Sequence, residues 1–91
     1  MSSTLIKLIA HDRIEFNTKV RRCGAYLNEN VAKMSPWSVM PGAMDPITGG
    51  FRFWGEGQVW LINEISVDTG AYAAEIWVDD AVAATMVLLL A

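Results

Sequence analysis

The sequence is short of most residues that mark chemistry. Its 91 residues hold one cysteine and one histidine. A lone cysteine excludes an intrachain disulfide and a multi-cysteine metal site, and a lone histidine excludes a site built on two. Charge is sparse: 19% of residues are charged, against roughly 25% in average globular composition. Seven basic and ten acidic residues leave a net charge of −3, which is not the footprint of a phosphate-backbone binder. The densest basic cluster, Lys19, Arg21 and Arg22, is diluted by Asp12, Glu15 and Glu29 and reads as a solvated helix face. The longest nearly unbroken apolar run, Ala81 to Ala91, is interrupted only by Thr85. It falls well short of the about 20 residues a bilayer span needs. The first residues lack the basic stretch and apolar core of a signal peptide. The expectation is a cytoplasmic protein with no cofactor, no metal, no nucleic acid and no membrane partner.

What is present is apolar bulk. Hydrophobic residues make up 53% of the chain and four of them are tryptophans. One domain spanning residues 1–91 has little interior in which to hide them. Surplus apolar surface marks an interface or a ligand groove.

Thr4 to Ala10 is short and aliphatic, as a strand is. Phe16, Val20, Cys23, Leu27, Val31 and Met34 then follow at steps of four, three, four, four and three, which is one face of a helix. Asp12 with Glu15 three residues on reads as a capping-box variant, and Pro36 is a stop. The spacing predicts a helix over about 13–34. Gly24 inside it costs roughly 1 kcal/mol against alanine, which points to something packed close against it. Residues 35–50 hold all three prolines and form an apolar loop (Trp37, Val39, Met40, Met44, Ile47) of a length more common in lids and interfaces than in spacers.

From Phe51 the chain reads as a four-stranded antiparallel meander, 51–54, 58–67, 71–79 and 82–90, packed on the helix. Residues 69–90 are also compatible with a helix, being rich in alanine and leucine, whereas Ile76-Trp77-Val78 favours strand. The fold class is α+β. In element order it is similar to the cystatin-like and hot-dog-like groups of small folds, in which a sheet curls around one helix; the likeness is one of layout, with no motif behind it.

A three-residue loop at 68–70 puts Asn63 opposite Glu75, Leu61 opposite Trp77 and Trp60 opposite Val78. One face then carries Trp54, Trp60, Ile62, Glu64, Ala74, Ile76, Val78, Thr85 and Val87. The other carries Phe51, Phe53, Val59, Leu61, Ile65, Trp77, Met86 and Leu88. Both are apolar and one helix covers only one, so the second face needs another copy of the chain, the apolar 35–50 loop, or both; the expected partner is the chain itself, as a dimer or higher oligomer.

Glu64 is the candidate for chemistry. A carboxylate on an apolar face either has its pKa raised or finds a partner such as Arg52, and both occur at active sites as well as at ordinary strand ends. Tyr72 lies one step away. His11, at the strand-to-helix junction, is a surface turn residue or an acid–base assistant. Glu75 falls on the other face, and Cys23 sits on the buried stripe as a structural thiol. The candidate ligand site is a tryptophan-lined pocket of Trp37, Trp54, Trp60 and Glu64, suited to a small apolar or aromatic ligand. Three readings stand: a homo-oligomeric binding module, a small enzyme with Glu64 as general base, or a structural subunit.

Overall fold

The computed structural model describes residues 3–40, 50–65 and 70–91, and the elements named below belong to them. Strand β1 (Thr4–Ala10) leads into helix α1 (Arg13–Asn30); β2 (Arg52–Trp54), β3 (Trp60–Ile65) and β4 (Tyr72–Val78) follow, and α2 (Ala81–Leu90) comes last. The strands form one antiparallel sheet in the order β1-β4-β3-β2. The class is α+β with a leading strand, a long helix and a four-stranded sheet, as the sequence indicates.

Helix α1 starts where the cap places it: the Asp12 carboxylate accepts from the Ile14 backbone N–H at 3.3 Å. Phe16, Val20, Cys23 and Leu27 are fully buried. The helix ends four residues before the expected Met34 because competing hydrogen bonds unwind it. The Asn28 side chain accepts from the Met34 N–H at 2.7 Å, and the Ala32 carbonyl accepts from the Trp60 indole N–H at 2.8 Å. Val31 and Met34 still pack against the core, from outside the helix. Gly24 is close-packed as its helix position implies: a Cβ there would come within 2.7 Å of the Phe53 ring.

The fourth strand of the sheet is β1, not residues 82–90, which form α2. Asp80 caps this helix, its carboxylate accepting from the Ala83 N–H at 2.9 Å. Thr85, Met86, Val87 and Leu88 therefore belong to a helix, and the sheet faces assigned to them do not apply. Both helices pack on the same side of the sheet and against each other, unlike a layout in which a sheet wraps one helix.

The β3–β4 register is the expected one, with Asn63 opposite Glu75, Leu61 opposite Trp77 and Trp60 opposite Val78. The turn residues Asp68 and Thr69 lie outside the described residues. At β2 the faces are exchanged. A 3-10 turn at Glu56–Gln58, with Gly57 and Gln58 in left-handed conformation, lengthens the connection. Trp54 pairs with Leu61 and Phe53 with Ile62. An odd shift of register moves every side chain to the other face, so Phe51 and Phe53 enter the core beneath the helices and Trp54 leaves it. Gly55 permits the turn: a Cβ there would collide with the Trp60 indole.

The core lies between the helices and one sheet face. An aromatic cluster runs through it, Phe16–Phe51–Phe53–Trp60, with ring centroids 5.7 to 5.9 Å apart. The opposite sheet face has three bands. Leu5, Trp77, Leu61 and Trp54 are cross-strand neighbours in a row spanning all four strands, and Ile9, Ala73 and Ile65 form a shorter apolar row. Between them run Lys7, Glu75, Asn63 and Arg52. The second face is thus banded rather than uniformly apolar.

Candidate functional site

Glu64 lies on the helix side of the sheet beside Ala74 and is paired. Its carboxylate meets the Arg13 guanidinium at 2.6 Å, and that guanidinium lies 5.3 Å from the Tyr72 ring centroid and 5.6 Å from that of Phe16. The partner is Arg13, from the first turn of α1; Arg52 is on the opposite face. A charge-assisted bond of this length, with two aromatic rings against the cation, ties the start of α1 to the end of β3. It accounts for the carboxylate without invoking a reaction. Tyr72 belongs to the same cluster, and His11 is exposed at the β1–α1 junction.

The four residues of the anticipated pocket are not brought together. Trp60 is wholly buried, its indole N–H bonded to Ala32 and its ring edge-on to Phe53. Trp37 is 83% exposed in a turn. Trp54 is on the far face, and Glu64 is clamped by Arg13. The loop reading falls partly outside the described residues, since 41–49, with Met44 and Ile47, are among those not described. The preceding stretch runs along β2: Met34 bridges to Gly55, Val39 to Arg52, and the Ser38 hydroxyl bonds both the N–H and the carbonyl of Trp54.

What the fold does assemble is a groove of about 430 Å³ on the helix-free face, lined by Ser3, Arg52, Trp54, Gln58, Leu61 and Trp77. Leu61 pairs with Trp54 on one side and Trp77 on the other, so an indole from each neighbouring strand flanks it. Arg52 supplies positive charge, its guanidinium 5.8 Å from the Trp54 ring centroid. The sequence pattern hides this grouping, because a three-residue turn at 55–57 would put Trp54 on the other face; the pairing of Leu61 with Trp77 is the half that it shows.

Cys23 is buried on α1, its thiol directed at the Val87 carbonyl of α2 at 3.9 Å. Burial pushes its pKa up from 9.0 to about 11, with Arg22 pulling weakly the other way. A thiol so held is protonated and a poor nucleophile.

Among the described residues no group of three histidine, cysteine, aspartate or glutamate side chains is placed to hold a metal ion, and no helix is long and apolar enough to cross a membrane. In comparisons with protein families, curated proteins and solved structures, none matches this chain.

Proposed function

We propose that this protein is a homo-oligomeric binding module that takes a small aromatic ligand on its helix-free sheet face. The observation that carries this reading is the groove in which Trp54 and Trp77 flank Leu61 with Arg52 at its edge. Two indoles beside an aliphatic floor suit a flat apolar body, and the few polar groups at the rim set its orientation. Arg52 favours a ligand carrying an acidic group, because a guanidinium offers paired donors to a carboxylate. Glu64 takes no part, being held by Arg13 on the other side of the sheet.

The test is a titration of the 15N-labelled protein with 2-naphthoate, a flat aromatic carboxylate. The expected result is shifts confined to Trp54, Arg52, Leu61 and Trp77, lost in Trp77→Ala. Trp77 is an exposed residue of the face, so its truncation leaves the core untouched. Shifts centred on Glu64 and Tyr72 instead, or none up to millimolar probe, would refute the reading.

A further inference from the structure

The two edges of the sheet are treated differently. Beyond β2, Met34 and Val39 bridge to the outer strand, so that edge is short and covered. At the other edge β1 is seven residues long and pairs with β4 alone; among the described residues no strand lies beyond it. Proteins blunt a free edge with proline, bulges or charges. Strand β1, TLIKLIA, has a single lysine and no proline.

Beside this edge lies α2, AVAATMVLLL, without one charged residue. A helix apolar all round belongs in an interior. Only its Ala83, Ala84 and Val87 side is buried; Val82 is 74% exposed, Leu88 63% and Leu89 75%. Between helix and strand runs a groove of about 360 Å³, where Ala81, Thr85 and Leu88 face residues 4–7 of β1. A bare strand edge and a bare apolar helix are therefore adjacent.

We infer that β1 and α2 together form the dimer interface, with β1 of two copies pairing antiparallel about a two-fold axis perpendicular to the sheet. The homo-oligomer of the proposed function rests on this surface, while the ligand groove does not. The occupant follows from what the surface demands. A foreign peptide strand would satisfy the edge hydrogen bonds and leave α2 bare. A second copy supplies both a strand and a helix, because the axis that makes β1 antiparallel to itself keeps both α2 helices on one side of the continuous eight-stranded sheet. The exposed side chains of α2 together with Leu5 present roughly 500 Å² of surface per protomer, or about 1,000 Å² for the pair, the size at which specific interfaces begin.

The register follows as well. Side chains directly opposite one another share a face, so the axis must pass through a residue. An axis at Lys7 would set two lysines directly opposite, which is destabilising. An axis at Leu8 would displace the two helices along the strands, since the α2 groove lies against residues 4–7. An axis at Ile6 brings the helices together, sets Leu5 opposite the partner subunit's Lys7, and leaves Lys7 beside its own Glu75.

The test is sedimentation of the full chain with two sets of variants. The expected result is a dimer at tens of micromolar, twice the 10.0 kDa chain mass. Val82→Glu with Leu89→Glu should give a monomer with an unchanged circular dichroism spectrum, because both side chains already face solvent within one copy. Under mild oxidation the Leu5→Cys/Lys7→Cys variant should cross-link into covalent dimers, since directly opposed residues lie within disulfide reach, whereas Lys7→Cys alone should not. A wild-type monomer at a hundred micromolar would overturn the inference. So would a dimer that survives the glutamate pair, or cross-linking through Lys7→Cys alone. Loss of 2-naphthoate binding with the dimer intact would count against the ligand reading and leave this one standing.

Discussion

Gly24→Ala separates two opposing effects whose sizes can be weighed beforehand. In an exposed helix interior the change gains about 1 kcal/mol from propensity. Here the new methyl would lie 2.7 Å from Cε2 and 3.2 Å from Cζ of Phe53, well inside van der Waals contact. The Phe53 ring has little room to withdraw: it is 1% exposed, 5.7 Å from Phe51 and 5.9 Å from Trp60 in an edge-on contact. Overpacking a filled core costs typically about 1–3 kcal/mol. The clash therefore wins, by a net amount on the order of 1 kcal/mol. For a domain of this size that lowers the melting temperature by roughly 4–8 °C. Urea unfolding followed by tryptophan fluorescence measures it, and a double-mutant cycle identifies its cause. In a Phe53→Leu background, where the far ring atoms are gone, Gly24→Ala should be neutral or stabilising, with a coupling of about 1 kcal/mol or more. If Gly24→Ala stabilises the wild-type background by a full propensity increment, Phe53 is free to move and the packing argument fails.

Two other outcomes are expected. Since burial raises the folded pKa of Cys23 to about 11 from 9.0, the folded state holds its proton more tightly than the unfolded one. Its contribution to stability is complete below pH 9 and is lost as pH rises toward 11, by up to roughly 2–3 kcal/mol. Denaturant midpoints of wild type and Cys23→Ala across that range should converge, and parallel curves would contradict this. Glu64→Gln removes the charge from the Arg13 pair; because Arg13 is 39% exposed and can turn to water, the loss should stay near 1 kcal/mol and shrink with salt. A loss of several kcal/mol in thermal unfolding would show that the pair is far better shielded than its exposure implies.

The parts of the fold legible in the sequence were those set by neighbours along the chain. The α1 stripe from Phe16 to Leu27 could be read because its period is the helix's own. The pairing of Trp60 with Val78 could be read because a short connection between two apolar runs leaves few registers. Where distant residues decide, the pattern was silent. Nothing near Glu64 in sequence points to Arg13 rather than Arg52. The pattern puts Trp54 on the wrong face because the left-handed residues at Gly57 and Gln58 lengthen the turn invisibly, and an odd shift inverts a strand. The end of α1 depends on Asn28 and Trp60 drawing the chain away after Asn30. The α2 segment carries a helix signal that competes with its β-branched and aromatic neighbours: Asp80 precedes an alanine-rich run at the N-cap position. For the site, the indole of Trp77 and its neighbour Leu61 were legible and the second indole was not.

The position of β1 in the sheet has a consequence for how the chain reaches this structure. Strands β2, β3 and β4 are successive neighbours and can zip together through short connections. The first strand made is the last that can be placed: Thr4 must find Val78 and Ala10 must find Tyr72, closing a loop of roughly sixty residues at an entropic cost the local hairpins do not bear. Until it docks, the edge of β4 stands open, and the sequence that fits it is carried by every other copy in solution. At high concentration a neighbouring molecule's β1 can arrive first, giving exchanged dimers with the same contacts. Refolding yield should therefore fall as concentration rises, through a slow phase that dilution removes.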